Sequence, residues 1–222
     1  LIFQEKTYIS YLAQIFKKLM TEEQRQHIES KIKSGYPLSS SVCLAAGFQI
    51  YKKQFFTFAL YALLVPTLSI IFGVAGMGVM GLLVLALIVS PVLNAGLYLG
   101  ADQVIKGKIL EFRDFFNVLP KAAPLVLSNL IAILLTGIIL IPAYYIFQNI
   151  GMFEWYQAVA ENPTTPPEPP MMNEAQSTTF FLNMIPLLYL QVGFSWAFLF
   201  ILFYDANPFS ALEFSRRLVS RR

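Results

Sequence analysis

The sequence predicts an all-α protein, a polytopic bundle of four transmembrane helices (four spans, N-in/C-in) with amphipathic interfacial helices. Three observations predict it. Only 13% of the 222 residues are charged, about half the usual share in soluble domains. The charged side chains leave three long gaps: 48 residues between Lys53 and Asp102, 32 between Lys121 and Glu154, and 30 between Glu174 and Asp205. All 16 Lys and Arg residues also lie in segments that four crossings would put on one side of a membrane. A mean hydropathy of +0.59 excludes an intrinsically disordered chain. A single cysteine, Cys43, excludes a disulfide scaffold.

A bilayer core about 30 Å thick takes roughly 20 helical residues per crossing. The first gap therefore holds two spans and the other two hold one each. Gly73, Gly76, Gly78 and Gly81 mark the turn inside the first gap. The expected spans are 55–76, 79–100, 125–147 and 179–204, with an external loop over 148–178. Residues 1–54 form cytoplasmic lead-in helices, 55–204 the transmembrane domain, and 205–222 a cytoplasmic amphipathic tail.

Orientation follows from the positive charges. Eight precede the first span, four lie between the second and third, and four follow the last. The connection between the third and fourth spans has none, and carries Glu154, Glu161, Glu168 and Glu174. Sixteen positive charges against nine negative give +7 on the inner side. With −4 outside, this is the positive-inside pattern.

Lys6–Leu19 places Tyr8, Leu12, Ile15, Phe16 and Leu19 on one helical face. Packing on the protein's own cytoplasmic face is favoured there over docking to a membrane or partner. Thr21 to Gln24 reads as a capping box opening a second helix, which Gly35 and Pro37 end. A third starts near Ser39 or Ser40 and runs to Lys53. Met20 looks like a translation start, so residues 1–19 read as an upstream extension.

Between the second and third spans, residues 109–119 predict a short interfacial helix that stops at Pro120. Phe112, Phe115 and Phe116 turn toward the bilayer or bundle, and Lys108 and Arg113 extend to the headgroups. Phe153, Trp155 and Tyr156 are aromatic anchors on the outer side. The proline-rich stretch from Asn162 to Pro170 predicts an extended spacer rather than a recognition peptide. Pro208-Phe209-Ser210 echoes Pro37-Leu38-Ser39, and Arg221-Arg222 echoes the dibasic approach of Lys52-Lys53 to the first span. That echo predicts a further span beyond Arg222.

No catalytic constellation is visible. His27 and Cys43 are the only His and Cys, which is too few for a His/Cys metal cluster. The four expected spans contain no Asp, Glu, His, Lys or Arg, so neither intramembrane hydrolysis nor a proton relay has its groups. Cys43 reads as a packing residue, with palmitoylation chemically open to it. Asn94, Asn129, Asn183 and Gln191 lie within spans, where an unpaired amide is costly. They are expected to make interhelical polar contacts rather than to line a polar path. Gly96 and Gly100 form a small-xxx-small pair that permits close approach. Pro66, Pro91, Pro142 and Pro186 lie inside spans and free backbone carbonyls.

The run Pro91, Gly96, Tyr98, Gly100, then Gly107-Lys108, Glu111-Phe112 and Asp114-Phe115-Phe116 resembles a group of uncharacterised bacterial multi-pass inner-membrane proteins. It is distantly similar to the membrane domain of glycerophosphodiester phosphodiesterases. The stretches 45–56 and 211–219 look like the same group. The resemblance implies a helical membrane protein and supplies no catalytic residue.

The expectation is a non-enzymatic integral protein of the bacterial cytoplasmic membrane, an accessory, scaffold or envelope-maintenance component without cofactor. A transporter or permease-like module for a lipid or small apolar solute is the alternative. The expected partners are the bilayer, with Lys52, Lys53, Lys108, Arg113, Arg216 and Arg217 on anionic cytoplasmic headgroups, and a protein partner or second copy. Nucleic acid is not expected.

Overall fold

The computed structural model describes residues 21–34, 40–72, 78–162, 164–165 and 167–220. The amphipathic stretch expected at 6–19, the glycines at 73 and 76, and the ends of the chain lie outside them. Among the described residues every regular element is helical.

Helix α1 (Glu22–Ser34) opens with the expected capping box: the Thr21 N–H donates to Gln24 Oε1 at 3.0 Å, and the Gln24 N–H to Thr21 Oγ1 at 3.3 Å. Helix α2 (Ser40–Lys53) leads to α3 (Phe55–Ala62) and α4 (Leu64–Phe72). The chain bends by 96° between Ser41–Lys53 and Phe55–Ile71. The break at Leu63 has a covalent cause. Pro66 has no N–H for the carbonyl four residues back, at Ala62, so the helix is interrupted there.

Helix α5 (Gly78–Val84), a π-helical turn (Leu85–Val89) and α6 (Ser90–Ile105) follow one another. Three helical runs are long and apolar enough to cross a membrane: Met80–Ile105, Phe112–Asn149 and Glu174–Tyr204. The bent pair at 41–71 makes a fourth if it counts as one span. The described residues are thus all-helical in their regular structure, with three to four candidate membrane-spanning helices.

The boundaries differ from expectation where polar groups intervene. Helix α6 continues past residue 100 because Lys106 pairs with Asp102 one turn earlier, at 2.6 Å, and Gly107 ends the run with φ +75°. The segment expected as a helix over 109–119 is a 3-10 helix, Phe112–Lys121, and Pro120 does not stop it. It passes directly into α7 (Ala122–Asn149). Pro120 lies in the last turn of the 3-10 segment, two residues before α7, so its missing N–H takes no bond from α7 itself. Glu111 and Asp114 cap the 3-10 segment reciprocally, the Glu111 N–H donating to Asp114 Oδ2 at 2.9 Å.

The chain forms two compact units, Leu1–Leu130 with Gly193–Arg222, and Ile131–Val192. In the second, α8 (Met152–Glu161) begins after Gly151, whose φ is +72°. Trp155 Nε1 donates to the Pro167 carbonyl at 2.9 Å and so ties the proline-rich stretch to α8. Helix α9 (Glu174–Phe194) starts earlier than the expected residue 179 because Asn173 and Gln176 cap it reciprocally, both at 2.9 Å.

The first unit is centred on two rings. Tyr61 and Phe115 stack with centroids 4.1 Å apart, and Phe58, Phe112 and Phe116 meet them edge-on. The Tyr61 hydroxyl donates to the Leu93 carbonyl at 3.0 Å. The rings fit because α6 presents glycine to them. A Cβ at Gly96 would overlap the Tyr61 hydroxyl oxygen and lie 2.8 Å from the Phe115 carbonyl oxygen; one at Gly100 would lie 2.5 Å from the Phe115 ring. The small-xxx-small pair therefore receives an aromatic stack rather than a whole helix. Helices α10 (Ala197–Tyr204) and α11 (Pro208–Ser220) complete the unit, with α1 packed on α11.

Gly96→Ala is expected to destabilise the folded state by about 1–3 kcal/mol, because the methyl meets backbone as well as side chain. Gly47→Ala, on α2 with nothing within 4 Å, should stabilise it by roughly 0.5–1 kcal/mol through helix propensity. Thermal unfolding of the two variants in detergent checks the contrast.

Candidate functional site

Proline and helix breaks expose backbone carbonyls inside this chain, and side chains from neighbouring elements meet several of them. The π-turn joint is the clearest case. Pro91 has no N–H, so the carbonyl of Leu87, four residues back, loses its α-helical donor. The carbonyl of Ala86, five back, loses its π-helical donor as well. Asn129, on α7, supplies both: its Nδ2 lies 3.1 Å from Leu87 O and 3.4 Å from Ala86 O. One amide thereby repairs what one proline opens.

A second joint holds the break between α9 and α10. The fully buried Ser215 on α11 donates to the Gly193 carbonyl at 2.6 Å, and its oxygen accepts the Trp196 N–H at 3.0 Å. At the far end of α10, Asp205 adopts a left-handed conformation (φ 53°), and the Ala206 N–H returns to the Phe200 carbonyl at 3.2 Å. Asp is one of the few side chains that tolerates that region. Lys121, at the entry to α7, bonds both Asp205 Oδ1, at 2.6 Å, and the Leu202 carbonyl, at 2.5 Å. A cation at a helix C-terminus is favoured by the dipole as well.

The other expected amides are placed differently. Asn94 is exposed, and its Nδ2 donates to Ser90 Oγ one turn earlier on its own helix, at 3.3 Å. Gln191 is exposed. The Nδ2 of Asn183 is buried without a hydrogen-bond partner among the described residues, as is the Ser128 hydroxyl.

Of the six cations expected at headgroups, Lys52 and Lys53 are exposed at the 96° corner, and Lys108 is exposed beside Gly107. Arg113 pairs with Glu111 at 2.7 Å, both largely in solvent. Arg216 and Arg217 share Glu213, at 2.8 and 2.6 Å. Hydrogen bonds from Arg216 and then Arg217 push the Glu213 carboxyl from 4.5 down to about 2.

Sequence reasoning missed Tyr61, Ser215 and Lys121. Ser215 had a signal: it shares the helical face of Ala211 and Leu218, where a hydroxyl needs an internal partner. Lys121 and Asp205 each end an uncharged gap, which also marked them. Tyr61 had no comparable mark among 11 tyrosines.

Among the described residues no three His, Cys, Asp or Glu side chains gather as metal ligands would. The arrangement of the joints completes hydrogen bonds of the backbone. The chain matches no family model, and no curated protein or solved structure is significantly similar to it.

Asn129→Leu should cost about 1 kcal/mol. In a Pro91→Ala background the cost should largely vanish, since residue 91 then supplies its own N–H; a double-mutant cycle measures this. A second expectation concerns pH. A carboxyl held below its unfolded value adds stability that is present above about pH 4.5 and is lost as pH falls toward about 2. The loss is small because all three side chains are partly exposed and screened. Glu213→Gln should remove that part of the profile, read from the melting temperature between about pH 7 and pH 2.

Proposed function

We propose that the chain is a four-span protein of the bacterial cytoplasmic membrane, with both ends inside. Its role is that of a non-enzymatic accessory or scaffold component of the envelope. The Lys121–Asp205 ion pair is the observation that carries the topology. Lys121 immediately precedes α7 (Ala122–Asn149), inside the run Phe112–Asn149, and Asp205 lies just past the end of the run Glu174–Tyr204. Their contact at 2.6 Å supports an outward and return crossing that begins and ends on one side. With only the arm Phe55–Ile71 of the bent pair crossing as one further span, and Lys52 and Lys53 at its entry, every Lys and Arg falls on that same side.

Lipid contact accounts for the surface. Leu134, Ile138, Phe181, Leu182, Ile185 and Leu188 are each more than half exposed, which would be unfavourable in water. The inner face, at +7, suits anionic headgroups, each surface cation adding about 1 kcal/mol. Lys52, Lys53, Lys108 and Arg113 are the cations best placed for that contact. A scaffold role is favoured over chemistry because Asn129, Ser215 and Lys121 all serve backbone carbonyls. The motif that resembles uncharacterised multi-pass membrane proteins fits the same reading: Gly96, Gly100 and Phe115 build the joint around Tyr61, Glu111 and Asp114 cap the segment that carries Phe115, and Gly107 ends α6.

Single-cysteine variants in a Cys43→Ser background test this. Thr165→Cys should react with an impermeant maleimide on intact spheroplasts, and Lys108→Cys only after permeabilisation. The opposite pattern would overturn the topology. Substrate-dependent flux in proteoliposomes would overturn the scaffold role in favour of transport.

A further inference from the structure

Helix α6 carries a polar ridge at four-residue spacing: Ser90, Asn94, Tyr98 and Asp102, with Lys106 just past its end. Asn94 lies close to the middle of the run Met80–Ile105, the greatest depth a crossing helix offers. Both Asn94 and Tyr98 face outward and are exposed. Asn94 donates to Ser90, but its carboxamide oxygen and the Tyr98 hydroxyl find no partner among the described residues. In hydrocarbon such groups are costly unless paired. Asn129, by contrast, has its Nδ2 engaged with a neighbouring element. A surface that is polar at midspan therefore calls for an occupant other than lipid.

We propose that this ridge is a homodimer interface, paired with the same ridge of a second copy of the chain about a twofold axis along the membrane normal. The inference rests on the membrane reading above. Three features select a second copy. Ser, Asn and Tyr side chains each donate and accept, so an identical ridge satisfies them without any other sequence. The two charged residues at the cytoplasmic end neutralise each other within their own chain, Lys106 to Asp102 at 2.6 Å, so two copies meet without like-charge repulsion. A four-residue ridge also pairs naturally with its own image in the right-handed crossing, near about −40°, of close-packed membrane helices. In a twofold interface Asn94 meets the Asn94 of the second copy, and a midspan amide pair of this kind fixes both register and stoichiometry.

The test uses the full chain in native membranes with Cys43→Ser and one cysteine at a time. Asn94→Cys and Tyr98→Cys should each give an oxidised product of twice the chain mass, about tenfold above that from Leu134→Cys on α7. A second measurement leaves the ridge otherwise intact: Asn94→Leu should weaken dimerisation by about tenfold in a membrane energy-transfer assay, while Asn94→Gln largely preserves it. A product of any other mass would identify a different partner helix and overturn the proposal. Monomer alone, with the Asn94→Cys variant reacting with water-soluble maleimide, would indicate a polar groove and overturn it as well. Alkaline carbonate separates the two levels of inference. Release of the chain from membranes would defeat the membrane reading itself, whereas a retained chain that stays monomeric would defeat only the dimer.

Discussion

The first unit depends on the stack of Tyr61 on Phe115 against the glycine face of α6. Tyr61 comes from the helix after the 96° corner, Phe115 from the 3-10 segment, and Gly96 and Gly100 from the helix between them in the chain. Three elements distant in sequence thus converge at one point. The Tyr61 hydroxyl needs a partner once buried, and it takes a lone pair of the Leu93 carbonyl. In the proposed membrane setting hydrophobic attraction between helices is weak, so close packing and such a bond supply much of the cohesion. A glycine pair accepts a flat ring at a distance that no side chain with a Cβ would allow.

Around that centre, the polar groups divide by where they stand. At the joints of the apolar runs they complete backbone hydrogen bonds: Asn129 at the proline-opened π-turn, Ser215 at the break before α10, Lys121 at its end. Near helix ends they cap helices or form ion pairs. Asn94, Tyr98, Ser128, Asn183 and Gln191 stand apart from this division, and the exposure of Asn94 and Tyr98 on one ridge is what points to a second copy. The bends that the prolines and breaks create are thus held by specific side chains, which is how a helical scaffold keeps one shape.

Much of the fold was legible because charge exclusion acts over long intervals. Three uncharged gaps enforce apolar runs whatever the local propensities, and the capping residues at Thr21 and Gln24 act within one helical turn. The ends of the runs were less legible. Helix α6 overran its expected end through the Asp102–Lys106 pair, and α9 began early through Asn173, both local devices that hydropathy does not register. Pro120 reads as a stop, yet at a helix start it is compatible with continuation. The small-xxx-small pair was visible as a place of close approach, but its occupant was not. Tyr61 and Phe115 reach Gly96 and Gly100 from opposite directions along the chain, across separations that no helical periodicity encodes.

A double-mutant cycle between Tyr61 and Gly96 tests the central joint most directly. Tyr61→Phe removes the hydroxyl that a Gly96 side chain would strike, and with it the bond to Leu93. If the two residues share that space, Gly96→Ala should be less harmful in the Tyr61→Phe background than in the native chain, with a coupling on the order of 1 kcal/mol. Additive effects, within about 0.5 kcal/mol, would contradict the close approach on which the unit is built.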